Sequence, residues 1–174
     1  DDLLLSWALL LEQAPPIADQ IRALYDHVLV DEYQDTNPLQ SRILRALCTN
    51  GKITVVGDDA QSIYAFRGAT IRNILDFGTD FPGAHTIVLE QNYRSTQNIL
   101  NAANAVITRN PGRPEKRLWS DAGDGDLLVG YVADTEHDEA QFVAEEIDRL
   151  TDAGSSRPGD VAVFYRTNAQ SRAF

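Results

Sequence analysis

The sequence has no methionine, a single cysteine and very few lysines among its 174 residues. One cysteine cannot form an internal disulfide, which agrees with a reducing compartment. No apolar stretch approaches the roughly 18 residues that a membrane-spanning helix requires, and no basic-then-apolar signal peptide opens the chain. We therefore expect a cytoplasmic protein with no membrane partner. Because the chain starts at Asp1, without an initiator, we also expect it to be a piece of a longer protein.

Positive charge is scarce as well, since 15 Lys and Arg residues face 26 Asp and Glu residues and the formal net charge is -11. Such an acidic balance argues against a general electrostatic grip on nucleic acid, which depends on many basic contacts to phosphate. All bases other than Lys52 and Lys116 are arginines. Arginine suits bidentate phosphate contacts and stacking on planar rings, so local contact with nucleic acid is compatible with the composition.

Apolar runs and amphipathic segments alternate along the chain. The pattern predicts strands at 28–30, 53–56, 86–89, 127–132 and 161–165. Helices are predicted at 3–11, 17–25, 38–48, 71–77, 95–107 and 136–150. Residues 109–126 contain Pro, Gly and most of the local basic charge, and we interpret them as an extended connector. The alternation predicts an α/β fold with a largely parallel sheet.

Three polar clusters each follow a predicted strand. They are Asp31-Glu32 with Gln34 and Asp35, Gly57-Asp58-Asp59 with Gln61, and Gln91-Asn92-Tyr93-Arg94. Because parallel strands bring their carboxyl ends to one edge of a sheet, we expect these clusters to lie close together. Acids for a metal, glutamines for a water or a phosphate oxygen, and an arginine for negative charge are what phosphoryl transfer uses. On Asp31 and Glu32 alone, a pair of solvated loop acids is an equally good interpretation.

Three stretches resemble motifs II, III and IV of the UvrD/PcrA/Rep group of superfamily 1 DNA helicases, in that family's order. They read VDEYQDTN at 30–37, VGDDAQSIYAFRGA at 56–69 and LEQNYRS at 89–95. A later stretch, VFYRTNAQSR at 163–172, resembles the second motor domain of that family. The resemblance implies an α/β, RecA-like motor core. Residues 1–85 would be the C-terminal part of the first motor domain, and 86–174 the N-terminal part of the second.

The resemblance also implies ATP and Mg²⁺ as cofactors and gives roles to single residues. Asp31, together with Glu32, would hold Mg²⁺, and Glu32 would activate or orient the attacking water. Gln61 would sense the γ-phosphate, and Tyr93 would stack on the adenine. Arg94 would act as an arginine finger, a role that suits a guanidinium beside transition-state charge.

The same resemblance makes Tyr64, Phe66 and Arg67 the candidate contacts to DNA, since single-stranded bases stack on aromatic faces. The family usually has a tryptophan at the position of Phe66, and phenylalanine keeps a stacking face but has less area and no indole N–H. The implied partners are single-stranded DNA or 3′-tailed duplex DNA, with repair proteins as further candidates.

The function that the resemblance implies is part of an ATP-dependent 3′–5′ DNA helicase or translocase in DNA repair. A phosphate-binding loop of the form Gly-x-x-x-x-Gly-Lys-Ser/Thr is missing, since Gly51-Lys52 lacks the upstream glycine and the hydroxyl. We therefore predict that these 174 residues alone do not hydrolyse ATP. One alternative is a non-catalytic DNA-binding or partner-docking module derived from a motor. Another is a Mg²⁺ phosphohydrolase or receiver-like domain, with Asp31 or Asp58 as phosphate acceptor.

Overall fold

The computed structural model of the protein describes residues 2–63, 65 and 68–174. Its helices and strands are, in chain order, α1 (Asp2–Gln13), α2 (Pro15–Arg22), β1 (Val28–Val30), α3 (Pro38–Leu47), β2 (Ile53–Val55), α4 (Arg72–Leu75), α5 (Phe77–Asp80), α6 (Gln97–Ile107) and α7 (Glu136–Asp152). Short 3₁₀ turns follow both strands, at Tyr33–Asp35 and Asp59–Gln61. The chain divides into two compact units, Asp1–Gly125 and Asp126–Phe174.

The core of the first unit lies where α1 and α2 pack on α3. Its most buried apolar residues are Ala8, Leu11, Ala18 and Ile43. The start of α3 is a capping box, since the Asn37 side chain accepts from the Gln40 amide while the Gln40 side chain accepts from the Asn37 amide, both at 2.9 Å. Pro38 occupies the first helical position, where no backbone N–H is needed. These local signals confirm the predicted helix at 38–48 and set its buried face against α1.

The two strands form a parallel pair with Val28 opposite Ile53 and Val30 opposite Val55. They are joined through α3, which is the strand-helix-strand arrangement that parallel pairing requires. The ladder extends past the strands, because the Val56 amide donates to the Val30 carbonyl at 2.8 Å and the Tyr33 amide donates to the Val56 carbonyl at 2.9 Å. The prediction of an α/β fold is confirmed. The parallel pair places the acid ends of both strands on one edge.

Three predicted strands, at 86–89, 127–132 and 161–165, are wrong, since these segments form no ladder in the described part of the chain. A strand exists only when a neighbour satisfies its backbone groups, and the described residues supply no such neighbour beyond one isolated parallel bridge, Gln91 to Trp119. Their apolar side chains are correspondingly exposed, with Leu127 at 83% and Phe164 at 93%. The predicted helix at 71–77 is also wrong in extent, since the chain leaves helical geometry at Asp76 and two short helices, α4 and α5, form instead.

The predicted extended connector at 109–126 has no helix or strand, and it folds back along α6. The Asn104 side chain both donates to the Leu118 carbonyl at 2.8 Å and accepts from the Leu118 amide at 3.1 Å. At the far end Gly125 has φ of +70°, and a Cβ there would lie 2.3 Å from the Thr96 hydroxyl oxygen. Only glycine fits such a close approach in the left-handed region. These contacts hold the connector in place.

In the second unit α7 is the main element. Its N-cap is Thr135, whose hydroxyl accepts from the Asp138 amide at 3.2 Å. Tyr131 stacks on Phe142 with ring centroids 4.1 Å apart. Among the residues that the structure describes, no helix combines the length and the apolar character needed to cross a membrane.

Candidate functional site

The site begins where β1 ends. Asp31 and Glu32 are both exposed, and Glu32 has φ of 50° and ψ of 44°, which is the left-handed region. It is the one non-glycine residue with a positive φ in the described part of the chain. This conformation costs on the order of 1 kcal/mol for a residue with a Cβ. The Asp31 side chain accepts from the Glu32 amide at 2.9 Å, which helps to hold the turn. The strained turn leaves both carboxylates facing solvent.

Gln34 connects this turn to the end of β2. Its side chain is buried, with 1% of the residue exposed. The Gln34 amide nitrogen donates to the Glu32 carboxylate at 2.6 Å, and its amide oxygen accepts from the Asp58 backbone N–H at 3.0 Å. A buried amide is stable when both of its ends are paired, and both ends are paired here. Gln34 therefore orients Glu32 instead of reaching for a water or phosphate oxygen itself.

The end of β2 carries Gly57, Asp58 and Gln61. Asp58 caps the following turn, since its carboxylate accepts from the Ala60 amide at 3.0 Å. Its second oxygen accepts from the Gln61 side-chain amide at 3.0 Å. Hydrogen bonds thus run without a break from Glu32 through Gln34 and Asp58 to Gln61. The structure brings two predicted site residues, Glu32 and Gln61, into one connected group that we call the acid-edge network (Glu32, Gln34, Asp58 and Gln61).

Beneath this network the chain is anchored in the interior. Tyr33 is fully buried and packs edge-on against Phe77, with ring centroids 5.4 Å apart. Burial raises the pKa of the Tyr33 hydroxyl, although its hydrogen bond to Ser41 works in the opposite direction. The buried Asn73 side chain donates to both the carbonyl and the hydroxyl of Thr36, at 2.9 and 3.0 Å. This anchor ties α4 to the segment that follows the two acids.

The charge on Asp58 is balanced by the connector. Lys116 lies 2.5 Å from one Asp58 oxygen, and Arg113 lies 3.3 Å from the Asp59 carboxylate. Burial by itself raises the pKa of Asp58, but the hydrogen bonds from Lys116, Gln61 and the Ala60 amide outweigh it and hold that pKa below its usual range. Asp58 is therefore a charged hydrogen-bond acceptor. The signal in the sequence for Arg113 and Lys116 was only the concentration of basic residues in the connector.

The third predicted cluster forms a separate group. The Tyr93 hydroxyl donates to the Gln91 side chain at 3.0 Å, and Gln91 donates to Asp121 at 2.8 Å. The Tyr93 ring is 85% exposed, and Arg94 is exposed as well. Within the described residues no hydrogen bond or ion pair joins Tyr93 or Arg94 to the acid-edge network. Their roles at the site stay predictions.

The predicted DNA contacts, Tyr64, Phe66 and Arg67, lie outside the residues that the structure describes. Their described neighbours are tied to the site. The Ser62 hydroxyl donates to the Gln34 carbonyl at 3.4 Å, and the Thr70 amide donates to the Thr36 carbonyl at 3.2 Å. Described residues on both sides of these three therefore contact the stretch that follows β1.

The carboxylates of Asp31 and Glu32 are oxygen donors of the kind that Mg²⁺ takes. In the described chain no group of three or more His, Cys, Asp or Glu side chains is placed to hold a metal. Mg²⁺ keeps several waters and binds proteins through one or two carboxylates. Asp31 has one oxygen without a hydrogen-bond partner among the described residues, and Glu32 lies next to it. These two side chains are the ones that would hold the ion.

Both parts of the chain match models of known protein families. A family model for the UvrD/REP helicase N-terminal domain matches residues 1–82, and one for the UvrD-like helicase C-terminal domain matches residues 87–174. The chain is 60% identical to ATP-dependent DNA helicase UvrD1 of Mycobacterium tuberculosis, over 99% of this chain and 23% of that protein. It is 50% identical to ATP-dependent DNA helicase PcrA of Leuconostoc citreum, over 99% of this chain and 23% of the relative. It is 51% identical to DNA helicase II of Escherichia coli, over 91% of this chain and 22% of the relative. The chain thus spans less than a quarter of the length of these relatives.

Proposed function

The chain belongs to the UvrD/REP helicase family, and from that premise we propose that it is the central part of an ATP-dependent DNA helicase that moves 3′ to 5′ on single-stranded DNA. The observation that supports this most is the acid-edge network, which links the acidic ends of β1 and β2 through hydrogen bonds of Glu32, Gln34, Asp58 and Gln61, including the Asp58 backbone N–H. A docking module would have little use for a buried glutamine that orients an exposed glutamate. DNA repair is the process in which we place the parent protein, with repair proteins as candidate partners.

The residues of the network have distinct roles in this proposal. Asp31, together with Glu32, would hold Mg²⁺, and that ion would supply positive charge to the phosphate oxygens of ATP. Glu32 accepts a proton from the attacking water or orients it, and the bond from Gln34 fixes the direction in which its carboxylate points. Gln61 senses the γ-phosphate from the end of β2. An exposed carboxylate held by a buried partner is well suited to general base work, which depends first on geometry.

The remaining roles rest on the third cluster and on the segment after β2. Tyr93 stacks on the adenine, and its exposed ring is free to do so. Arg94 approaches the γ-phosphate as an arginine finger. Tyr64, Phe66 and Arg67 contact single-stranded DNA, whose bases stack on aromatic rings.

Two finer structural statements belong to the same proposal. The two strands are part of a larger RecA-like sheet. The first motor domain ends near residue 85, and the second begins at 86. The compact unit of the structure is longer and reaches Gly125, because the connector packs closely on the site.

The test is single-stranded DNA-stimulated ATP hydrolysis by the full-length protein that carries this chain. We expect Glu32→Gln to lower kcat by about 10²–10⁴-fold, the usual contribution of a general base. Glu139→Gln is the control, because Glu139 is an exposed glutamate in the first turn of α7. We expect that control to hydrolyse ATP at the wild-type rate, and the 174-residue chain alone to be inactive.

Two results would contradict the proposal. If the Glu32→Gln protein hydrolyses ATP at the wild-type rate, Glu32 is not the base. If the wild-type full-length protein binds single-stranded DNA without hydrolysing ATP, the non-catalytic module becomes the better interpretation.

A further inference from the structure

Three ion pairs between the connector and the end of β2 differ from every other ion pair in the described chain. Lys116 bridges Asp58 at 2.5 Å and Asp59 at 3.7 Å, and Arg113 meets Asp59 at 3.3 Å. All four side chains are less than one quarter exposed. In each of the remaining pairs at least one partner is more exposed than that. We call this group the connector clamp (Asp58, Asp59, Arg113 and Lys116).

Burial gives the clamp a strength that surface pairs lack. An exposed pair contributes roughly 0–1 kcal/mol, because water and salt screen it. In a partly buried pair, removal of one partner leaves the other charge less well compensated than at the surface, and the loss is larger. Together with the Ala60 amide, the clamp therefore holds the Asp58 carboxylate in position, and its charged contact comes from Lys116, 58 residues away along the chain.

The position of Asp58 in turn decides which way the Gln61 amide points. A carboxylate that is charged can only accept hydrogen bonds, so the Gln61 nitrogen must face it. The Gln61 nitrogen does so at 3.0 Å. The Gln61 oxygen is left without a hydrogen-bond partner in the described residues, and it is the end of the side chain that can accept a hydrogen bond from a water.

We propose that Lys116 is a positioning residue for Gln61: by clamping Asp58 it fixes the orientation of the Gln61 amide and so couples the connector to the nucleotide site. The inference rests on the proposed function, because it takes Gln61 to be the residue that senses the γ-phosphate. Arg113 supports the clamp by holding Asp59. Movement of the connector that withdraws Lys116 would free the Gln61 amide to rotate, and hydrolysis would slow.

The experiment measures ATP hydrolysis by the full-length protein with saturating single-stranded DNA. Lys116→Gln is the test variant and Lys52→Gln is the matched control, because Lys52 is the other lysine of this chain and is exposed at a turn. Lys116→Arg keeps the positive charge and is the rescue variant. The melting temperature of each variant is recorded beside kcat and KM, so that loss of folding can be separated from loss of coupling.

For Lys116→Gln we expect kcat to fall about tenfold while KM for ATP changes less than about twofold, a loss in the range of couplings between residues in contact. Lys116→Arg should stay within about threefold of wild type, because it retains the charge that Asp58 needs. Lys52→Gln should match wild type. The decisive combination is Lys116→Gln with Gln61→Ala, which should be no slower than Gln61→Ala alone, since residues acting as one unit are not additive.

Several results would overturn the inference. A Lys116→Gln protein with a lower melting temperature but wild-type kcat would show that the clamp only stabilises the fold. Losses from Lys116→Gln and Gln61→Ala that simply multiply would show that Lys116 does not act through Gln61. If the wild-type protein shows no DNA-stimulated hydrolysis at all, the proposed function fails and the inference with it. The wild-type measurement therefore separates the two failures.

Discussion

Gly57 lies directly against Gln34 of the acid-edge network, and its replacement by alanine is the sharpest test of that network. A Cβ at this position would lie 2.7 Å from the Gln34 side-chain oxygen and 2.8 Å from the terminal methyl of Ile74. The Tyr33 amide nitrogen would be 3.2 Å away. The first two distances are shorter than a methyl group tolerates. The Ile74 methyl can move aside, but Gln34 is buried and paired at both ends of its amide.

The expected loss in the free energy of unfolding depends on whether Gln34 keeps its position and its hydrogen bonds. Forcing an extra methyl into a packed site costs about 1–3 kcal/mol. If Gln34 retreats, the Asp58 N–H loses its acceptor, and an unsatisfied buried donor costs about 1–3 kcal/mol by itself. The two costs are alternatives in part, so we expect a loss of about 2 kcal/mol in the free energy of unfolding. For a chain of this size that is a fall of roughly 4–8 °C in melting temperature.

The assay is urea and thermal unfolding followed by circular dichroism, with Gly78→Ala as the matched control. A Cβ at Gly78 would meet nothing within 4 Å. Gly78 lies in α5, so the control should be neutral or more stable by up to about 1 kcal/mol, because alanine favours a helix. The packing described here would be refuted if Gly57→Ala proved as stable as Gly78→Ala.

Two further predictions concern stability. Asn73→Ala removes both hydrogen bonds to Thr36 and should lower the free energy of unfolding by about 1–3 kcal/mol, as read from the urea midpoint; an unchanged midpoint would show that this anchor carries no load. Because the pKa of Asp58 is lowered in the folded state from an ordinary value of 3.8, its contribution to stability is present above that pH and is lost as pH falls through the lower folded pKa. Asp58→Asn should therefore flatten the acid limb of the stability profile below about pH 4, and an equally steep limb would contradict the assigned ionisation.

Helix caps and the spacing of apolar residues were enough to predict the longer helices. The Asn37 cap with Pro38 and the spacing of Leu39 and Ile43 predict α3, and the structure has it within one residue of the expected end. The same holds for α6 and α7, whose limits differ from the expectation by two residues at most. A helix satisfies its own backbone and needs only short-range information, which is why sequence patterns reach it.

A strand depends on a neighbouring strand, and the sequence patterns were insufficient to predict which apolar segments would pair. The apolar runs at 86–89, 127–132 and 161–165 have the composition of strands, yet they form no ladder in the structure. Composition reports that a segment is suited to a sheet, whereas a ladder needs a neighbouring strand at the correct register. The parallel pair of β1 and β2 formed because α3 returns the chain to the same edge.

Some residues of the candidate site could be identified from the sequence, and others only from the structure. Motif order in the sequence was enough to identify the family and to single out Glu32 and Gln61, whose catalytic roles remain predictions. The tertiary structure added Lys116 and Arg113, and it showed that Gln34, already in a predicted polar cluster, orients Glu32.

By itself, then, the sequence determined the longer helices, the α/β class and the family, because these are encoded in caps, periodicity and short motifs along the chain. Only the tertiary structure decided how the acids are held. Glu32 is oriented by a glutamine two residues away that also accepts from the backbone N–H of Asp58 after β2. Burial raises the pKa of Asp58, but a lysine 58 residues later helps to hold that pKa below its usual range. Electrostatic and packing interactions depend on distance in space, and distance along the chain does not reveal it.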